Sequence, residues 1–277
     1  MGDAAMTRIA CVQLGWRPDE DRAGRVARVV AAVDRIEGAD LVVLPELWVT
    51  GYFHFDRYRG EAEPLDGPTV TALAEAAARR RVHLVGGSIV EQSADVLCNT
   101  CVVLDPSGTL VHTYRKVHLF GYGSEEAQLL TAGEAVATAP GPACRIGVTT
   151  CYDLRFPEIY RLLVADGAQI LVVPAAWPAV RLAHWRLLLQ ARAVENQAVV
   201  VGCNGVGNQA GTALGGHSAV VDPWGKVLAE GGDDEQVVQA TVDLGAAEQL
   251  RREFPVLDHR RIPVGPFPTS SGAQRAG

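Results

Sequence analysis

Lysine is almost missing from this chain: among 277 residues only Lys116 and Lys226 carry that side chain. Arginine supplies the rest of the positive charge, and 25 basic against 32 acidic residues leave a net charge of −7. No basic cluster stands ready to replace the counterions of a phosphate backbone, so nucleic acid is not an expected partner. No apolar run approaches the roughly 20 residues that cross a bilayer, and no membrane partner is expected. The opening MGDAAMTRIACVQL lacks a basic segment followed by an apolar core, which argues against a secretory leader. Met6 stands where a myristoylation signal wants Ser or Thr. There is no HExxH and no GxSxG elbow, and Gly202, Gly205 and Gly207 do not make a dinucleotide fingerprint. Cysteines are few and scattered, at positions 11, 98, 101, 144, 151 and 203. A chain that is 48% hydrophobic can bury a large core without disulfides, so free thiols and a cytoplasmic location are expected. Cys98-Asn-Thr-Cys101 is a CxxC, but no second pair or histidine set completes a metal site, and no metal is expected.

What is present is a regular alternation of apolar runs and amphipathic stretches. Residues 7–14 read as a strand and residues 20–37 as a helix with Val26, Val29, Val30 and Val33 at helical spacing. DLVVLP (40–45) is a continuous apolar run, the mark of a strand covered on both faces. A helix over 67–81, a strand over 82–90 and two strands joined by Asp-Pro-Ser-Gly follow. The second half repeats the order: strand 144–151, helix 157–166, strand 169–177, helix 181–196, strand 198–204 and a hairpin around Asp222-Pro-Trp-Gly. GADLVVLPE (38–46) echoes GAQILVVPA (167–175), and VVLDPSGTL (102–110) echoes VVDPWGKVL (220–228). The expected architecture is α/β: a four-layer αββα sandwich of two mixed sheets with an internal pseudo-twofold repeat. One domain is expected over 1–277, with a core over 7–244 and a C-terminal helix and tail over 245–277. The stretch PFPTSSGAQRAG reads as an irregular end.

Three residues with chemistry fall at or beyond strand ends, where α/β proteins build their sites. Glu46 closes DLVVLPE, Lys116 follows HTYR, and Cys151 closes CRIGVTTC. Pro157 and Glu158 open a helix just after the cysteine, a setting that lowers a thiol pKa. The alternative for Cys151 is a buried, inert thiol. A carboxylate behind an apolar strand is costly unless paired, and partial burial makes it a better base; a loop or capping carboxylate is the alternative for Glu46. Lys116 can favour thiolate or hold an oxyanion, or sit solvated at a strand end.

PELWVTGY (45–52), YRKVHLF (114–120) and CYDLRFPE (151–158) resemble, in order and spacing, the three signature segments of the nitrilase superfamily of carbon–nitrogen hydrolases. The resemblance extends over residues 7–244 and includes 177–207 and HSAVVDPWG (217–225). It implies the αββα sandwich and a triad of Glu46 as general base, Lys116 as oxyanion stabiliser and Cys151 as nucleophile, with no cofactor. It also implies a second glutamate seven residues before a glycine. Glu126 and Gly133 fit, with Glu125 as the neighbouring alternative and Leu129-Leu130 in place of a usual aromatic. The residues after Cys151 resemble the omega-amidase branch, whose substrates are small dicarboxylate monoamides. An N-carbamoyl amino acid hydrolase, another small-amide hydrolase and a non-catalytic binding protein on the same fold are the alternatives. Trp48, Tyr52, Phe53, Phe55, Tyr152 and Trp177 are candidate pocket walls, with Tyr52, Tyr152 and Trp177 foremost as substrate-binding residues. Arg155 or Arg181 can pair a substrate carboxylate, although Arg155 reads first as an ion-pair partner of Glu158. The resemblance further implies a homo-oligomer, a dimer or higher, using helices 157–166 and 181–196.

Overall fold

Continuous apolar runs between helical stretches call for strands covered on both sides, and the computed structural model, which describes residues 6–265, has them. The first half runs β1 (Met6–Gln13), α1 (Arg22–Asp34), β2 (Leu41–Val43), the one-turn α2 (Tyr58–Glu61), α3 (Pro68–Arg80), β3 (His83–Ser93), β4 (Val96–Leu104), β5 (Leu110–Arg115) and the one-turn α4 (Glu126–Leu129). The second runs β6 (Thr138–Pro140), β7 (Arg145–Val148), α5 (Pro157–Ala165), β8 (Ala168–Ala175), α6 (Leu182–Asn196) and β9 (Val199–Asn204). It closes with β10 (Val206–Gln209), β11 (Thr212–Gly215), β12 (Ala219–Val221), β13 (Val227–Glu230), β14 (Gln236–Asp243) and α7 (Leu244–Glu253). Residues 266–277, the expected irregular end, lie outside the described residues.

Period-two alternation sets the layers. On β1, Ala10 and Val12 pack with Val29 and Val33 of α1 and Leu73 and Ala76 of α3. Ile9 and Cys11 point the other way and join the core shared with the second sheet. β2 and β4 divide likewise: Leu41, Val43, Cys101 and Val103 face the second sheet, while Val42, Val102 and Leu104, with Leu44 just beyond β2, face the helices. In the second half, Ile159 and Leu163 of α5 and Trp185 and Leu189 of α6 join the core of the other sheet. The result is helices, sheet, sheet, helices, as the apolar runs predict.

The sheet orders are β14-β1-β2-β3-β4-β5 and β13-β12-β9-β8-β7-β6. β1, β2 and β3 are parallel, as are β7, β8 and β9. The strands beyond them pair antiparallel. The two halves therefore repeat the same arrangement, and they exchange their last strands. β6 follows the first half but pairs with β7 of the second; β14 follows the second half but pairs with β1 of the first. The sequence pattern did not reveal β6, β14 or the β10–β11 hairpin. β6 is too short to show a period, and β14 and the hairpin carry polar residues on exposed faces.

Candidate active site

Lys116 is the first residue beyond β5. Its N–H still donates to Asn99 O on β4 at 2.9 Å, which keeps the strand register one residue longer. Alternation along β5 turns Tyr114 and Lys116 inward and Arg115 outward, to Glu91 at 2.7 Å. The Lys116 ammonium is fully buried and donates to Glu46 Oε1 at 2.7 Å and to both Glu126 oxygens at 2.9 Å. Asn99 Nδ2 bridges the same carboxylates, donating to Glu46 Oε1 at 2.8 Å and Glu126 Oε1 at 2.9 Å. The Ala176 N–H donates to Glu46 Oε2 at 3.0 Å. Glu126 Oε2 accepts from Tyr52 Oη at 3.0 Å and from the Phe120 N–H at 2.7 Å. Two carboxylates and one ammonium are thus taken from water together, each with its lone pairs or protons occupied, as burial of charge demands.

Gly133 explains the spacing of the loop. Its N–H donates to Lys116 O at 2.9 Å, and a Cβ there would lie 2.1 Å from Arg115 O. Only glycine lets the chain press back against the end of β5 and bring Glu126 inward. Of the two adjacent acids, Glu126 is the buried one and Glu125 is exposed. Leu130, where an aromatic is usual, fills the apolar space beside Tyr52 and Tyr58.

Cys151 comes from the other half. β7 ends at Val148, and Cys151 opens a 3-10 turn, Cys151–Arg155, rather than ending the strand as the sequence suggests. Its backbone is left-handed, at φ +46°, a sparsely populated region for a side chain with a Cβ. Asp153 fastens this turn. Its carboxylate accepts from the Thr150 N–H at 2.9 Å, Tyr114 Oη at 2.7 Å, the His118 N–H at 3.0 Å and His118 Nδ1 at 2.8 Å.

The expected drop in the thiol pKa is overturned. Burial pushes Cys151 well above the ordinary thiol range, the Glu46 carboxylate adds to the rise, and Lys116 and the Ala176 N–H only oppose it. Two reasons are visible. The long helix α5 begins at Pro157, after the 3-10 turn, so its N-terminus is not at the thiol. The single ammonium already faces two carboxylates, so a thiolate would add further negative charge. Burial raises Glu46 above the ordinary carboxylate range, with Lys116 opposing and Glu126 adding. Lys116 is held well above its usual range because Glu126 and Glu46 outweigh its burial. A neutral thiol beside a carboxylate of raised basicity is suited to proton transfer at the moment of attack.

The pocket over Cys151 has a volume of about 30 Å³ and is walled by Tyr52, Phe53, Phe120, Tyr152, Trp177 and Pro178, with Arg155 and Arg181 at its rim. Of the candidate walls, Trp48 and Phe55 are elsewhere. Trp48 lies in the helix-facing core with Nε1 donating to Gly86 O at 2.9 Å, and Phe55 packs edge-on against Tyr58. Tyr52 lines the pocket, but its hydroxyl is committed to Glu126 and to Ser124, 3.2 Å away. Arg155 does not pair with Glu158. Its guanidinium lies 4.6 Å over the Trp177 ring and meets His184 Nδ1 at 3.3 Å. Asn99 stands inside the CxxC, whose two cysteines give no sign of it; the signal available in the sequence is its place two residues before the inward Cys101. Cys98 and Cys101, separated by an odd number of strand steps, point to opposite faces of β4, which explains why they do not act together.

A four-layer sandwich that brings a buried acid, a buried ammonium and a thiol to one end of its sheets has the frame of a carbon–nitrogen bond hydrolase. Residues 8–252 match the family model described as carbon-nitrogen hydrolase, and the chain belongs to that family. It is similar to 2-oxoglutaramate amidase from Paenarthrobacter nicotinovorans, 40% identical over 264 residues that cover 92% of this chain and 90% of that protein. It is similar to omega-amidase NIT2 from Homo sapiens, 38% identical over 81% of this chain and 84% of that one. Among solved structures it resembles Saccharomyces cerevisiae Nit3, a member of branch 10 of the nitrilase superfamily, with a TM-score of 0.85, 34% identity and coverage of 93% of this chain and 97% of that chain.

Proposed function

We propose that this protein is an omega-amidase-type enzyme that hydrolyses a small amide to a carboxylic acid and ammonia through a thioester on Cys151. The observation that carries the reading is the Lys116–Glu46 pair of the first half, joined at 2.7 Å, beside the Cys151 thiol that the second half supplies. Glu46 takes the thiol proton as Sγ attacks the amide carbon. Negative charge develops on the amide oxygen, and Lys116 Nζ and the Tyr152 N–H are the groups proposed to meet it. Lys116 gives two of its hydrogen bonds to Glu126, so one can turn to the oxyanion while each carboxylate keeps one. Protonated Glu46 then gives its proton to the leaving nitrogen, the C–N bond breaks, and the thioester remains. Water, deprotonated by Glu46, adds to the thioester, and collapse returns the proton to Sγ. Glu126 is a positioning residue that holds Lys116, and Tyr52 orients Glu126; Tyr152 and Trp177 are the proposed substrate walls. The names of the relatives, 2-oxoglutaramate amidase and omega-amidase, support this substrate class.

The chain is proposed to act as one domain and as a homo-oligomer. Exposed Val180, Leu187 and Val194, along and just before α6, support self-association, which sedimentation velocity tests. The six unpaired cysteines support a cytoplasmic location, which cell fractionation tests.

The functional test is ammonia release from monoamides of dicarboxylic acids, simple amides, nitriles and N-carbamoyl amino acids, by the wild type and Cys151→Ala. Monoamides should lead, and Cys151→Ala should lose at least about 10⁴-fold in kcat. Turnover confined to nitriles or carbamoyl compounds would keep the nucleophile and reject the substrate class.

A further inference from the structure

The pocket above Cys151 is rimmed by two cations and no acid. Arg181 lies over the rings of Phe120 and Tyr122, 5.6 and 5.8 Å from their centres. Arg155 lies over Trp177 and meets His184. Among the described residues no carboxylate forms an ion pair with either guanidinium, whereas Arg115, Arg186 and Arg192 each sit on one, at 2.7, 2.5 and 2.9 Å. Two like charges brought together at a half-buried rim repel, and Arg155 holds its proton less firmly through burial first and the Arg181 charge second. The repulsion is relieved if an anion comes between them.

The way the arginines are held points the same way. A guanidinium held over an aromatic ring is gripped through its face, which leaves the N–H edge of Arg181 for a planar, two-oxygen acceptor, while Arg155 shares its edge with His184. The backbone beside Arg181 is fixed as well, since Trp177 Nε1 donates to Arg181 O at 2.8 Å. We infer that Arg181, with Arg155 beside it, is the subsite for the anionic end of the substrate, a carboxylate joined by a short chain to the amide that Cys151 attacks. This deepens the amidase reading and rests on it.

The test uses succinamate and butyramide, which differ in a carboxylate against a methyl group. In Arg181→Gln the ratio of kcat/KM for succinamate over butyramide should fall about 10- to 100-fold, mostly through KM, as loss of a charge-assisted hydrogen bond implies. Arg181→Lys should restore part of the ratio, because the charge returns without the planar fork. A ratio unchanged in both Arg181→Gln and Arg155→Gln overturns the subsite. If the wild type turns over neither amide, the amidase reading fails, and binding alone decides the subsite. Succinate should then slow iodoacetamide alkylation of Cys151 in the wild type and not in Arg181→Gln. No protection in the wild type, or equal protection in both, overturns it.

Discussion

A lysine without access to water keeps its proton here because two carboxylates stand within 2.9 Å of it. Removing either acid charge leaves the balance of the buried cluster altered, and Glu126 is the one that can be removed without touching the proposed base. Glu126→Gln should lower kcat about 100-fold and reduce the melting temperature, while Glu125→Gln, on the exposed neighbour, should leave both near wild type. Equal effects from the two would reject the assignment. The pH profile follows from the same cluster. Glu46 must be ionised to take the thiol proton, and its pKa is raised by burial, so kcat/KM should be intact above that raised value and fall as pH drops through it. The acid limb therefore belongs above the ordinary carboxylate value of 4.5. Lys116 must remain protonated and is held well above its ordinary 10.5, so loss of its charge should not limit activity on the alkaline side below that value. An acid limb at or below pH 4 in an amide-hydrolysis profile would contradict the buried base. At this scale the sequence was legible where a rare residue type stood at a strand end, as with Lys116, one of two lysines. It was not legible for Asn99, whose partners are 53 positions earlier and 27 later. Nor did it tell the protonation of Cys151, because that depends on the sum of charges assembled from both halves.

Elements place these residues by repetition and by one exception to it. The echo of GADLVVLPE in GAQILVVPA is an echo of β2 in β8, and the two strand ends meet, with the Glu46 N–H donating to Ala175 O at 3.4 Å. The first copy ends in the acid, and the second passes on to Ala176, whose N–H fixes that acid. The central strands were readable because burial on both faces demands unbroken apolar runs. The loop between β5 and β6 was readable only through its Glu126-to-Gly133 spacing. That spacing has a steric cause, which makes it testable. Gly133→Ala would drive a methyl into Arg115 O, so the loop must lift away from β5 and carry Glu126 with it. The expected result is a loss of about 2–4 kcal/mol in stability and a fall in kcat larger than any change in KM. Wild-type kcat in a folded Gly133→Ala protein would show that the loop does not position the site. Asp153 plays the corresponding part for the nucleophile, since its four hydrogen bonds tie the Cys151 turn to Tyr114 and His118 on either side of Lys116.

Strand exchange makes the whole molecule the unit on which the site depends. β14 pairs with β1 over all eight residues, from Met6 opposite Asp243 to Gln13 opposite Gln236. β1 is also the strand beside β2, which leads to Glu46. On the other sheet β6 borders β7, which leads to Cys151. Neither half closes its own sheet, and neither owns a whole site: Glu46, Asn99, Lys116 and Glu126 come from the first and Cys151, Ala176 and Trp177 from the second. The inner faces of the two sheets share one buried core, so opening one sheet exposes apolar surface of the other. The single-domain reading therefore has a thermodynamic consequence. In urea, ammonia-releasing activity, tryptophan fluorescence and far-ultraviolet circular dichroism should be lost in one coincident transition. Loss of activity well before secondary structure, with half the circular dichroism surviving, would mean that the halves fold separately. A chain ending before Gln236 sharpens the test. It keeps every proposed catalytic residue but strips β1 of its outer partner, leaving a row of unpaired backbone groups at the sheet edge. Such a chain should be aggregated or inactive although nothing within its site has changed, because the strand that completes the Glu46 sheet is supplied by the half that carries Cys151.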